Sequence, residues 1–214
     1  MKLSPRITNL ISIVAIALGI VLSILIIWPS LQQAWYDLHT LQARKQIDRW
    51  LSNPQQAFEL EDWIAARDAL QEANRACPAV AQYHIELARL QVFRAIKAQQ
   101  APAIRDLFYQ QAIEHYRMAL NVQPNNIHSI ANLVQFKAYL GQADAEFAQL
   151  FQRAQRIAPH EADIQLTLLN AGYQNWPRLT PEMHAQIRQL ENRALQQQQQ
   201  KVRKLQANYP NLTF

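Results

Sequence analysis

The chain has 214 residues, half of them hydrophobic, with only three glycines and a formal net charge of +5. That length holds one ordinary folded core, and scarce glycine with almost no Val/Ile/Thr alternation excludes a β-rich fold in favour of an all-α one. From residue 31 onward 19 basic residues stand against 16 acidic ones, a balance that describes a solvated surface and excludes an electrostatic footprint for nucleic acid. Cys77 is the single cysteine, so no internal disulfide forms and cysteine usage leaves the compartment open.

The first element is apolar. Between Ile7 and Tyr36 no residue is charged, and residues 10–28 form a continuous hydrophobic run. As a helix that run is roughly 28 Å long at about 1.5 Å per residue, which matches a bilayer core of about 30 Å. A cleaved signal peptide would have an apolar region of about 7–15 residues followed by a small-x-small site; here the run is longer and ends in Trp28-Pro29. An uncleaved signal anchor is therefore expected. Lys2 and Arg6 precede it and no Lys or Arg follows until Arg44, so the positive-inside bias predicts a cytoplasmic N-terminus and an extracytoplasmic remainder. Ala15, Gly19 and Ser23 recur at i, i+4 and i+8; such a small-residue stripe is either a helix-packing face or the ordinary composition of a membrane helix.

Residues 30–53 are expected as a juxtamembrane helix, with Leu31, Trp35, Leu38, Leu41, Ile47, Trp50 and Leu51 apolar. Asn53-Pro54 then predicts the start of the next helix, an N-cap followed by Pro at the first helical position. The run Trp63–Cys77 ends at Pro78, Pro102 interrupts the pattern around Ala95–Ala103, and Ala119-Leu-Asn-Val-Gln ends at Pro124. Ile127–Leu140, Gly141 and a second helical run to Ile157 follow, closed by Pro159. Residues 161–173 predict one more helix. Thr180-Pro181-Glu182 starts the last one and Asn208-Tyr209-Pro210 stops it. Met183, Ile187, Leu190, Ala194, Val202 and Leu205 share a face of that long terminal helix, and the glutamines 196–200 are expected as a polar face within it.

Pro124 and Pro159 are 35 residues apart, and Ala119 and Ala154 each sit five residues before their Pro, with Tyr116 and Phe151 eight before. Pro78 is preceded by Ala73 and Leu70 at those offsets. Small residues there let two helices approach, and the larger ones fill the gap above them. This pattern resembles a tetratricopeptide repeat (TPR), whose usual period is 34 residues. Pro78 to Pro124 is 46 residues, an excess that falls at Ala95–Ala103. The resemblance implies a helical solenoid of about three repeats, its last unit covered by a long C-terminal capping helix. The expected division is an N-terminus and anchor at 1–29, a juxtamembrane helix at 30–53, a repeat domain at 54–180 and the capping helix and tail at 181–214.

No chemistry-bearing motif stands out. The histidines His39, His84, His115, His128, His160 and His184 include no i, i+4 pair, so scattered surface histidines are expected rather than a metal site. Asp144 and Glu146, or Glu59, Glu61 and Asp62, read as solvated charges, since neighbours two or three apart diverge on a helix. No nucleotide or nucleophile signature occurs. The expectation is a non-enzyme without cofactor, metal or small-molecule substrate.

Several segments, 61–70, 139–147, 158–166 and 175–182, are similar to the single-span TPR proteins of the VpsP type, encoded among bacterial exopolysaccharide and O-antigen biosynthesis genes. That resemblance implies an inner-membrane protein with a periplasmic domain that binds other proteins of a polysaccharide-assembly complex. The TPR resemblance also implies a concave groove lined by Gln82, Ile85, Arg89 and Val92, then His128, Ala131, Gln135 and Ala138, then Asp163, Leu166, Asn170 and Tyr173. Arg89, Gln135 and Asn170 would form a polar row, and reversal of the Arg89 charge is expected to leave stability almost unchanged. A second function class stays open: a structural subunit of another envelope machine, such as a pilus or secretion apparatus, acting mainly through the anchor.

Overall fold

A computed structural model describes residues 5–212, with side chains from residue 16 to residue 212. Among these the chain is all-helical: α1 Pro5–His39, α2 Leu41–Ser52, α3 Leu60–Ala76, α4 Ala81–Lys97, α5 Pro102–Val122, α6 Ile127–Tyr139, α7 Ala145–Ile157, α8 Ala162–Asn175, a 3-10 turn at Trp176–Arg178, and α9 Pro181–Gln206.

The helix ends follow local chemistry. Pro102 opens α5 at a position where its missing N–H costs nothing. Asn126, Asp144 and Thr180 cap α6, α7 and α9 by accepting from the backbone N–H of Ser129, Phe147 and Met183 at 2.9, 2.9 and 3.3 Å. Gly141 closes α6 with φ at +67°, the left-handed conformation that glycine adopts without a Cβ clash. The Gln142 N–H then returns to the Lys137 carbonyl at 2.9 Å and satisfies an orphan carbonyl of the last turn.

Two hydrophobic clusters hold the helices together. One joins α2, α3 and α4 through Ile47, Trp50, Trp63, Leu70, Tyr83, Leu87 and Phe93. The other runs from α4 to α9 through Tyr116, Ile130, Val134, Phe147, Phe151, Leu168 and Ile187. Ala119 and Ala154 are fully buried, with Tyr116 and Phe151 buried beside them. Helices two apart also pack, α2 on α4 and α6 on α8. Gly172 sits where a Cβ would stand 2.7 Å from Cδ1 of Ile187, so its absence of a side chain sets how closely α9 lies on α8.

Three expected boundaries are corrected. The helix predicted to start at Asn53-Pro54 starts at Leu60 instead. Residues 53–59 are a loop because Phe58 folds inward, edge-on to Trp50 and Phe93 at 6.2 and 5.1 Å between ring centres. Lys97 Nζ secures the loop at the Gln56 carbonyl, 2.7 Å away. The juxtamembrane segment is not one helix over 30–53: α1 continues through Pro29 to His39, and the chain re-enters a helix after Thr40. Nor is α9 a single long rod. Gln198 has φ −149° and ψ 50°, outside helical values, and the chain turns back there. On a straight helix Glu191 and Gln206 would lie about 22 Å apart; in the fold Gln206 donates to Glu191.

α1 is one helix long and apolar enough to cross a membrane, its described span running from Ile16 to His39 with its most apolar stretch left unburied by the rest of the protein.

Ala154 leaves no room for a larger side chain. Ala154→Trp is expected to destabilise the domain by about 1–3 kcal/mol through overpacking, read as a lowered thermal midpoint.

Candidate functional site

The residues expected to line a groove on α4, α6 and α8 are divided by the structure. Gln82, His128 and Asp163 are exposed, and Ile85, Arg89, Val92, Leu166 and Asn170 are half-buried. Ala131, Gln135, Ala138 and Tyr173 are buried. Tyr173, at 2% exposure, points into the core, where its hydroxyl donates to Glu191 Oε1 at 2.7 Å; it is no groove residue.

The polar row falls into two parts. Asn170 Nδ2 donates to Gln135 Oε1 at 2.9 Å, so these two do meet across α6 and α8. Gln135 Nε2 also reaches Gln174 Oε1 at 3.4 Å. Arg89 instead turns toward α2. Its guanidinium binds Asp48 Oδ1 at 2.5 Å and Glu86 Oε2 at 2.8 Å. Glu86 is 3% exposed, and Gln82 Nε2 donates to its other oxygen at 2.7 Å. Arg89 is thus the counter-ion that makes a buried carboxylate tolerable, and its grip is already used within the chain.

Sequence reasoning missed what fills the Asn170 end. The return limb of α9 lays Tyr209 there, its hydroxyl donating to Asn170 Oδ1 at 2.7 Å and its ring edge-on to Tyr173 at 5.5 Å. The apolar spacing of Val202, Leu205 and Tyr209 held part of that signal, but nothing in a run of glutamines announces a reversal.

At the base of the domain, Asp37 on α1 accepts from Arg44 Nη2 at 2.6 Å and from the Tyr83 hydroxyl at 3.1 Å. The Arg44 guanidinium lies 5.6 Å over the Tyr83 ring, a favourable cation–π distance. Burial first, and then the Asp37 carboxylate, hold the Tyr83 phenol well above its ordinary range. Buried Thr40 donates to the Tyr36 carbonyl at 2.8 Å and completes the junction. Within α1, Ser23 Oγ donates to the Gly19 carbonyl at 2.8 Å. Ala15, the third residue of the small stripe, lies outside the residues whose side chains are described.

Two polar arrangements correct the expectations of separate solvated carboxylates and of scattered histidines. Asp144 and Glu146 converge on Lys137, which is 1% exposed, with Nζ at 2.8 and 2.7 Å from their oxygens. Asp144 is the N-cap of α7 and so lies outside the helical spacing that would separate it from Glu146. Arg117 adds two bonds to Glu146 at 2.9 and 2.6 Å. Those bonds first, then Lys137, hold the Glu146 carboxyl down at about 2. The histidines are not all scattered either. His84 of α4 and His115 of α5 bring their Nδ1 atoms to 3.4 Å, 31 residues apart in sequence. Burial first, and then His84, lower His115 to about 4. Burial lowers His84 as well. Among the described residues no three His, Cys, Asp or Glu side chains form a group that would hold a metal ion.

The sequence matches no protein-family model and no curated protein.

The depressed pKa values set two acid windows. His115 binds its proton in the unfolded chain near pH 6.5 and in the fold only near 4, so its stability is full above about 6.5 and is lost as pH falls to 4. With solvent screening counted, that loss is about 1–2 kcal/mol. Glu146 contributes above its unfolded value near 4.5 and is lost toward 2. Thermal midpoints measured from pH 7.5 to 2 are expected to fall in both windows, with His115→Gln flattening the upper one alone. A second outcome revises the Arg89 expectation: Arg89→Glu strands buried Glu86 beside a like charge and is expected to destabilise by about 2 kcal/mol or more. Adding Glu86→Gln is expected to recover part of the lost midpoint.

Proposed function

We propose that the chain is a membrane-anchored scaffold: a TPR-like solenoid of about three helix pairs, held at the extracytoplasmic face of a bacterial inner membrane, that binds partner proteins of polysaccharide assembly or export. The observation that carries this reading is the junction at Asp37. An apolar helix whose most apolar stretch has no cover from its own domain is fixed at its far end to an all-helical array by Arg44 and Tyr83, so the array holds a set position against the bilayer. The TPR-like part is supported by the burial of Ala119 and Ala154 at equal offsets before Pro124 and Pro159. The N-in orientation is supported by Lys2 and Arg6 on one flank and an uncharged stretch on the other. The polysaccharide role rests on the resemblance of segments 61–70, 139–147, 158–166 and 175–182 to VpsP-type proteins.

A second reading, a structural subunit of another envelope machine, is favoured by the open side of α1. Gln32 and Tyr36 face the domain, while exposed Trp28, Leu31 and Trp35 rim a cavity of about 340 Å³ with them. Meanwhile Arg89 and Asn170 are engaged within the chain. The two readings separate on α1. If the domain recruits the partners, replacing residues 7–28 with an unrelated span and Leu31 and Trp35 with alanine keeps surface polysaccharide production; if α1 recruits them, that exchange abolishes function while the domain stays folded.

Topology is tested directly. Alkaline phosphatase fused after Phe214 is expected to be active in a bacterial host, and activity there of a reporter that works only in the cytoplasm would refute the orientation.

A further inference from the structure

The reversal in α9 is held by tertiary bonds and opposed by local preference. The turn rests on one residue, Gln198, inside five consecutive glutamines. Glutamine is a good helix former, and neither Gly nor Pro is present to enforce a bend. Two hydrogen bonds to α8 and its first turn keep the chain folded back: Gln198 Nε2 donates to the Ala162 carbonyl at 2.8 Å and to Gln165 Oε1 at 3.1 Å. Beyond it, the return limb buries Val202 completely and seats Tyr209 on Asn170.

We propose that α9 straightens at Gln198 and that two copies of this chain exchange their return limbs, residues 199–212, each limb filling the place beside α8 that its own chain fills in the monomer. Opening gives up the two hinge bonds of Gln198 in return for helical continuation, while the contacts of the limb itself, Gln206 with Glu191, Tyr209 with Asn170 and the burial of Val202, are made again with the second copy, which is why exchange of an identical element is a low-cost route to a dimer. A one-residue hinge is the shortest connection and leaves helix continuation as the alternative conformation. An open monomer exposes both the apolar face of the limb and its empty seat, so the limb either returns or finds a second copy. Where the chain is anchored in a membrane, as the proposed function holds, two copies share one plane and their effective concentration rises. The exchange itself rests on α8 and α9 and not on that reading.

Asp163 and Lys201 report the exchange without disturbing the core. Both are exposed, and they lie 4.0 Å apart, one on the first turn of α8 and the other on the return limb. In the full-length chain with Cys77→Ser, two differently tagged forms carrying Asp163→Cys and Lys201→Cys are co-expressed in membranes and treated with a short bismaleimide. Exchange predicts a product joining the two tags, several-fold above that from Asp163→Cys paired with Gln189→Cys, an exposed position on the outgoing limb. Gln198→Ala, which favours a straight helix, is expected to raise that product several-fold, and Gln198→Gly to lower it. A chain carrying Asp163→Cys and Lys201→Cys together monitors the closed form as a link within one chain. Linkage only within that double variant, with the mixed pair no better than the Gln189→Cys control, would overturn the proposal. So would equal yields from Gln198→Ala and Gln198→Gly.

Discussion

α4 is the wall that both cores share, and the rest of the fold depends on it. Leu87, Leu90 and Phe93 face α2 and α3, while Ala88 and Ala95 face the cluster that continues to α9. The choice of residue on each face matters. Large side chains fill the wide space around Trp50 and Trp63, with Phe93 stacked on Trp50 at 5.0 Å. Alanines on the other face bring α5 close, and α4 packs more extensively on α5 than any other helix pair does. Each fully buried large apolar side chain stabilises by about 1.5–3 kcal/mol, so loss of Phe93 would uncouple α2 and α3 from the remainder as well as open a cavity. Arg94 closes the seam, its guanidinium within about 5.4 Å of the rings of Phe58, Trp63 and Phe108.

The helix ends were legible because proline and glycine act locally. Pro78, Pro102, Pro124 and Pro159 all stand at boundaries, and Gly141 adopts the positive φ that its place before a turn required. Burial at Ala119 and Ala154 was legible from equal spacing. What escaped were decisions made by distant partners. Phe58 was predicted within a helix and is drawn into a loop by Trp50 and Phe93, the latter 35 residues onward. The turn at Gln198 contradicts the helical preference of its own segment. Lys137 sits in a helix that reads as apolar, and only the fold brings Asp144, Glu146 and, through Glu146, Arg117 to it. The His84–His115 pair needed the α4–α5 hairpin to exist before it had any meaning.

These polar groups bear on how the inner faces act. A positively charged groove with free side chains would attract acidic peptides at once. Here Arg89 bridges Glu86 and Asp48, and Asn170 divides its amide between Gln135 and Tyr209. A partner entering at either place must replace a bond of similar strength, so its net gain is a difference between two good interactions. The return limb of α9 already occupies the Asn170 end through Tyr209.

The junction of α1 with the domain is the second fixed point of the fold. A flexible tether would need glycine, serine or proline between span and domain; from Gln33 to Trp50 there is none. The chain instead passes from α1 to α2 through buried Thr40, with Asp37 held from two sides. Because Tyr83 also belongs to the α2–α4 core, a tilt of α1 has to shift a core residue. Asp37 is therefore the point where the direction of α1 and the packing of the domain are one interaction. A partner gripping α1 and a partner gripping the domain would each act on the other's surface through it.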